Sequence, residues 1–454
     1  MELNFSKHSD NLPALTLKGK TYSYGELKKM VFKLYSFLGS ENSGNLKVVC
    51  ILSNRLHMDV CFLAAQLSGA CLVPISPRLP ESRRLQILNQ VNPDLILTEK
   101  NLLDILTGAD SKTVPIVTVV NPNNLFSMMM TSGSTGISKI VGISYANWNS
   151  FFEQILKIYP MSAGEKIVQT FEPVFDPYYA IAAMSYHQGA HIYHLQENDI
   201  YNIFLFCNKN EIEFWASVPS LVDLSLSRES TPEKNSTIRR SIFTGEKLRF
   251  DIVKKWADFA PDSTIENLYG PVETTVWVSR AVINPQNAND PLPIGLPFHS
   301  VQLKLEDGLL VIEGSQVGYG YFDQSEWKLF NRRFETQDIC GLDAAGNFIF
   351  KGRRDQEIKV AGQRIDVNSM EIEIEKVLQA GCILQWQTEG FYFLAITQIE
   401  VDFNVAFELL SPVIPVAFIP KKWICLKEWP RTASGKWDRA KIQEQALGIL
   451  KVAL

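Results

Sequence analysis

From residue 48 onward, short apolar stretches of strand length alternate with stretches of helix length, and this alternation limits the possible folds more than any other feature. Residues 48–52 read as strand, 58–67 as helix, 71–75 as strand, 81–91 as helix and 95–97 as strand. Strand–helix–strand repeats at this spacing argue for an α/β fold with a parallel sheet covered on both faces. Upstream, Leu27, Met30, Val31, Leu34, Phe37 and Leu38 form a helical apolar stripe. The alternation resumes with strands at 167–170, 192–195, 214–218, 241–243 and 265–268. Composition shifts near 285–330, where Pro, Gly and Asn punctuate short strands at 301–305 and 309–313, with Gly314, Gly318 and Gly320 at turns. A small β-rich, barrel-like subdomain is expected at about 285–350. The charged stretch 351–357 precedes a new set of helices and strands, so the boundary is placed there. A chain of 454 residues exceeds a single core. The expected organisation is a large doubly wound N-terminal unit over 1–353 and a small α+β unit over 354–454.

The formal charge of −5 argues against nucleic acid or an anionic membrane as main partner. The first ten residues have no signal-peptide core, and no apolar run reaches the ~18 residues of a membrane span. Seven cysteines lie scattered in mostly apolar contexts without a Cys-x-x-Cys pair, which reads as buried reduced thiols in a cytoplasmic protein. A monomer or weak dimer is expected.

An apolar run ends at Met130 in Thr131-Ser132-Gly133-Ser134-Thr135-Gly136-Ile137-Ser138-Lys139, and a strand-like stretch follows. Small residues let backbone N–H groups approach an anion, hydroxyls add donors and a lysine adds charge. That combination holds phosphate; the alternative is a Ser/Gly-rich linker. The spacing fits neither a P-loop nor a dinucleotide Gly-x-Gly-x-x-Gly. The stretch resembles the nucleotide loop of the adenylate-forming enzymes, Thr-Ser-Gly-Ser-Thr-Gly-x-Pro-Lys-Gly, with Ser138 in place of Pro and Ile140 in place of Gly. That superfamily includes acyl-CoA synthetases, luciferases and the adenylation domains of peptide synthetases.

Five further segments carry the resemblance, in the family's order. Phe175-Asp176-Pro177-Tyr178, followed by Gly189-Ala190, is similar to the peptide-synthetase branch, whose aspartate binds the α-ammonium of an amino acid. A carboxylate facing a pocket needs a cationic partner, so it selects an amine. The alternative is an Asp that caps the helix entering at Pro177. Asn267-Leu268-Tyr269-Gly270-Pro271-Val272-Glu273-Thr274-Thr275 resembles Asn-x-Tyr-Gly-Pro-Thr-Glu-Thr-Thr. The resemblance implies Tyr269 on adenine, Glu273 on Mg²⁺ and Thr274 or Thr275 on the α-phosphate. Val272 departs from Thr, and losing one such donor can cost roughly 10²–10³ in rate.

Phe334-Glu335-Thr336-Gln337-Asp338-Ile339 resembles Tyr-x-Thr-Gly-Asp-Leu, whose aspartate accepts both ribose hydroxyls. Gln337 replaces Gly, so a turn of altered shape is expected there. Gly352-Arg353-Arg354-Asp355 resembles the family hinge, with Asp355 at the pivot, and 356–366 follows its pattern except for Ala361; a solvated charged linker is the other reading. Pro430-Arg431-Thr432-Ala433-Ser434-Gly435-Lys436-Trp437-Asp438-Arg439 resembles Pro-x-Thr-x-x-Gly-Lys-x-x-Arg, whose lysine bridges the substrate carboxylate and the α-phosphate. Gly245, Glu246, Leu268, Gly270 and Arg353 complete the implied nucleotide site.

The resemblance implies ATP- and Mg²⁺-dependent activation of an amino acid to aminoacyl-AMP, catalysed by Lys436 and Glu273. The aminoacyl group then passes to the phosphopantetheine thiol of a separate carrier protein. Two alternatives stay open: a ligase delivering the acyl group to coenzyme A or an amine, and a non-catalytic nucleotide or amino-acid binding protein. Laid onto this chain, the family's pocket positions are Asp176, Pro177, Ala180, Ala216, Ile242, Thr244, Leu268, Val276 and Trp277. With no charge besides Asp176 and one bulky indole, they imply a small uncharged amino acid.

Overall fold

The computed structural model describes residues 4–40, 46–108, 120–131, 139–226, 232–288, 291–323, 326–354, 357–360, 363–387, 392–430 and 439–452. Two large sheets dominate. In the first, the strands Lys166–Gln169, Phe214–Ser217, Arg240–Thr244 and Thr264–Tyr269 run parallel side by side, and the antiparallel Ser279–Ile283 follows. In the second, Leu95–Thr98, Lys47–Ile51 and Cys71–Pro74 run parallel, Leu125–Thr131 joins them in parallel, and Lys139–Ser144 closes back antiparallel.

Alternate side chains of these strands enter different cores, as the pleat requires. Val48, Cys50 and Leu72 of one sheet and Phe214, Ala216 and Ile242 of the other share the central core with the helices Arg55–Ser68, Tyr145–Ile158 and Asp176–Gln188. Val49, Cys71 and Val73 point away and pack under the helix Glu81–Val91. Trp215, Phe243 and Ile265 pack under the helices Ile203–Asn210, Pro219–Leu226 and Phe250–Phe259. Each strand is therefore covered on both faces, as the alternation predicts. This is an α/β architecture of two large sheets with helices between and around them.

Local chemistry sets the helix limits. Asn54 caps Arg55–Ser68 by accepting from Leu56 N–H, and Gly69, at φ 75°, ends it. Asp176–Gln188 is buried from Tyr178 through Tyr186, so it lies wholly between the sheets. Gly189, at φ 81°, ends it, and its N–H donates to Ser185 O. The Gly-Ala pair at 189–190 thus includes a helix stop.

The strands between 285 and 350 divide between the two sheets. Pro293–Pro297, Val301–Glu306, Leu309–Gly314, Arg333–Leu342 and Phe348–Arg353 extend the first, whereas Gly320–Asp323 pairs with Lys139–Ser144 in the second. Beyond 356, a two-stranded and a three-stranded sheet carry the helices Val367–Leu378, Phe403–Leu410 and Arg439–Val452, with apolar clusters drawn only from residues 365–450. Among the described residues no helix is long and apolar enough to cross a membrane.

Candidate active site

The phosphate-loop residues Ser132, Gly133, Ser134, Thr135 and Gly136 lie outside the described residues, but both ends of the loop are fixed. Thr131 pairs with Lys139 across the antiparallel strands, and its hydroxyl donates to Lys139 O at 3.4 Å. The Lys139 ammonium lies 5.3 Å from the centroid of the Tyr321 ring, a cation–π contact. Tyr321 OH donates to Glu273 Oε1 at 2.7 Å. Glu273 is fully buried, so one aromatic ring links the lysine of the first motif to the carboxylate of the second.

The second motif leaves the strand Thr264–Tyr269 in a tight turn. A Cβ on Gly270 would lie 2.1 Å from Val276 O, so only glycine lets the two arms meet this closely. Thr274 Oγ1 donates to Pro271 O at 3.0 Å and Thr275 Oγ1 to Gln316 O at 2.6 Å, so both hydroxyls brace the turn itself. Tyr269 OH donates to Asp338 Oδ2, and Arg353 donates to Asp338 Oδ1 at 2.7 Å. Residues expected on adenine, ribose and the pre-hinge strand thus form one cluster, with the Asp338–Arg353 pair almost wholly out of solvent. Gln337 is an exposed position in the strand Arg333–Leu342, whose register against Leu309–Gly314 shifts between Glu335 and Ile339, so the altered local shape expected there takes the form of a bulge within the strand. Gly245, at φ 86°, turns the chain after Arg240–Thr244, and Glu246 accepts from Ser220 N–H at 3.0 Å.

The pocket positions also converge. Strand register places Ala216 beside Ile242 and Thr244 beside Leu268, on the face that looks into the central core. Ala180, Val276 and Trp277 belong to the same cluster. Trp277 packs edge-on to Phe151, and its indole N–H donates to Thr244 Oγ1 at 2.9 Å. The Thr244 hydroxyl therefore anchors the indole. Asp176 is the first residue of its helix, with Pro177 next, but it is not the cap; Phe175 holds that position, without a side-chain hydrogen bond. The Asp176 carboxylate instead accepts from Val276 N–H at 3.0 Å. A helix N-terminus favours negative charge there, and the half-buried carboxylate lies beside an uncharged wall.

A family model described as "AMP-binding enzyme" matches residues 2–322. The chain belongs to the AMP-binding enzyme family. It is 26% identical to a D-alanine–D-alanyl carrier protein ligase of Listeria monocytogenes, over 97% of each chain. It is also 26% identical to a segment of tyrocidine synthase 3 of Brevibacillus parabrevis, covering 95% of this chain and 7% of that one. Among solved structures, the Vibrio cholerae adenylation domain AlmE in complex with glycyl-adenosine-5'-phosphate superposes with a TM-score of 0.85 at 22% identity, covering 98% of this chain and 96% of that one.

Several buried groups of this AMP-binding enzyme were not singled out by the sequence motifs. Glu266 lies in the row beside Ile242 and is closed off by a bidentate Arg280 at 2.6 Å and by Tyr159 OH. It is therefore a neutralised structural acid at the pocket floor. The segment 316–321 threads between the motifs, with Gly318 N–H donating to Glu273 O at 2.8 Å and Tyr319 N–H to Gly142 O at 2.7 Å. In the C-terminal portion, Glu371 holds Arg439 bidentately at 2.6 and 2.7 Å. Asp355, Ala361 and Lys436 lie outside the described residues. An open groove of about 550 Å³, lined by His299, Asn331 and Arg332 among others, contains none of the motif residues.

Proposed function

We propose that the chain activates a small uncharged amino acid with ATP and passes the aminoacyl group to the phosphopantetheine thiol of a carrier protein. The observation that carries this reading is Asp176, an acid held at a helix N-terminus against a wall of uncharged residues. The relatives named as D-alanine–D-alanyl carrier protein ligases support a carrier-protein acceptor and a small amino acid from the set Gly, Ala, Ser, Cys, Thr and Pro.

In the first half-reaction a substrate carboxylate oxygen bonds to the α-phosphorus, the bond from that phosphorus to the bridging oxygen breaks, and pyrophosphate leaves. No general base is needed, because the carboxylate is already ionised at neutral pH. Asp176 pairs with the ammonium, Thr131 to Lys139 hold the leaving phosphates, Asp338 takes the ribose and Lys436 offsets charge on the reacting oxygens. The donor set fits Mg²⁺: Glu273 is a hard oxygen ligand, and the phosphates would supply the rest. When bound, the ion neutralises phosphate charge. In the second half-reaction the thiol, losing its proton, bonds to the carbonyl carbon as AMP leaves. A reaction that draws on ATP calls for the cytoplasm.

Amino-acid-dependent pyrophosphate exchange tests the reading. Alanine and glycine should give strong exchange, and Lys436→Ala should abolish it without unfolding the protein. Strong exchange with Lys, Glu or Trp, or with an aryl acid above every amino acid, would overturn the pocket assignment.

A further inference from the structure

Thr275 and Val276 both sit at positive φ, 61° and 63°. Both are β-branched, the residue type least suited to left-handed backbone. Such a conformation persists only where neighbouring groups over-determine it. Here the neighbour is Gln316, fully buried behind the turn. Its backbone carbonyl accepts from Thr275 Oγ1 at 2.6 Å. Its side-chain NH₂ donates to Trp277 O at 2.8 Å and, more loosely, to Thr275 O at 3.4 Å. Its side-chain oxygen accepts from Gln154 Nε2 at 3.1 Å and from Ser300 Oγ.

All four hydrogen-bonding positions of the amide are used, and only one orientation serves, because the two backbone carbonyls can only accept. The amide grips the carbonyls of the two residues that flank Val276. Val276 N–H, in the same peptide group as the Thr275 carbonyl, donates to Asp176 Oδ2.

We propose that Gln316 is a positioning residue for amino-acid recognition: it holds the Thr275–Val276 turn in its left-handed form, so that Val276 N–H fixes the Asp176 carboxylate toward the substrate's ammonium. This rests on the role proposed above for Asp176. Gln316 touches no substrate, so its effect must run through the turn, and it must be specific to a substrate that carries an ammonium.

The test is steady-state exchange with alanine and ATP, together with competitive inhibition by propionate, which has the same carbon skeleton and no ammonium. Gln316→Met keeps volume and removes every side-chain hydrogen bond. It should raise KM for alanine about tenfold, the scale of a displaced contact, while KM for ATP and inhibition by propionate change less than about twofold. Thr275→Val, which removes only the 2.6 Å bond from the turn, should move the same parameters in the same direction and serves if Gln316→Met does not fold. Ser300→Ala, which removes a bond on the far side of the same amide, should leave all three parameters unchanged. Equal losses for alanine, propionate and ATP, or no change in KM for alanine, would overturn the proposal. Failure of the wild type to exchange with any amino acid would instead overturn the functional reading.

Discussion

The helix that carries Asp176 rests on Asp59, whereas the turn that faces Asp176 rests on Gln316. On the helix side the support is a fully buried carboxylate with a complete set of donors. Tyr178 OH and Tyr186 OH each donate to Asp59 at 2.6 Å, and His194 Nε2 lies 2.7 Å away. Burial, reinforced by the Asp59 carboxylate, raises both phenols well above their ordinary range, so both remain donors. Arg55, from the same helix as Asp59, holds the approach to Asp176 by donating to Phe171 O at 2.9 Å. The backbone there is relaxed. On the turn side the support is a neutral amide holding two residues in a conformation that costs roughly 1–3 kcal/mol each. A buried charge with all its partners specifies where a helix sits, and losing it unfolds the region. A strained turn specifies where one N–H points, and losing its brace lets it relax while the fold survives.

The largest effect that sharpens this contrast is expected at Asp59. Asp59→Ala leaves Tyr186 and His194 without their acceptor in a dry core and Tyr178 with only Arg55 O at 3.3 Å, at about 1–3 kcal/mol for each group affected. A loss of about 3–5 kcal/mol is expected in urea unfolding, with KM for the amino acid unchanged in whatever fraction stays folded. A loss under about 1 kcal/mol would mean that the carboxylate is not the keystone of that side.

The tyrosines subdivide the helix support. Tyr178→Phe and Tyr186→Phe each delete one hydrogen bond to the same charged acceptor, so each should cost about 1.5–3 kcal/mol. Tyr178 lies one half-turn from Asp176 and Tyr186 near the far end of the helix. If the helix side supplies stability alone, neither changes KM for the amino acid. A rise for Tyr178→Phe comparable to that of Gln316→Met would break the contrast, because the helix would then aim the acid as well as hold it.

The two sides also differ in how much of them the sequence reveals. The helix-length stretch at 58–67 announced the helix Arg55–Ser68, and Pro177 announced the start of the central one, because such signals are local. The motif at 267–275 and the pocket positions were legible only through the resemblance to a known family. Asp59, Glu266 and Gln316 were not. Asp59 finds its partners 119 to 135 residues away and Gln316 braces a turn 41 residues away, so nothing in the sequence around a buried polar residue shows what will satisfy it. Gln316 in particular looked like one polar residue in a glycine-rich turn. The strands at 285–350 looked like one unit for the same reason: sequence proximity says nothing of which sheet edge a strand joins, and Gly320–Asp323 joins the sheet of the phosphate loop.

The smallest expected effect on stability, and the sharpest on the contrast, comes from Val276→Gly. Three terms compete. Removing a buried valine side chain loses about 1.5–3 kcal/mol of burial. Glycine adds about 0.5–1 kcal/mol of backbone entropy to be lost on folding. Against these, glycine adopts φ 63° without the strain of a β-branched residue, returning roughly 1–3 kcal/mol. The terms nearly cancel, and a net loss under about 1.5 kcal/mol is expected, less than a buried valine elsewhere in the core would show. Recognition should not be spared in the same way. A glycine has no preference for the left-handed form, so Val276 N–H would no longer be held toward Asp176, and KM for the amino acid should rise although the protein is almost as stable as before. A loss of 3 kcal/mol or more in urea unfolding would show that the valine carries no strain worth relieving. An unchanged KM alongside near-wild-type stability would show that the turn holds its shape without needing to be forced, and the distinction between a side that holds the fold and a side that aims a carboxylate would fall with it.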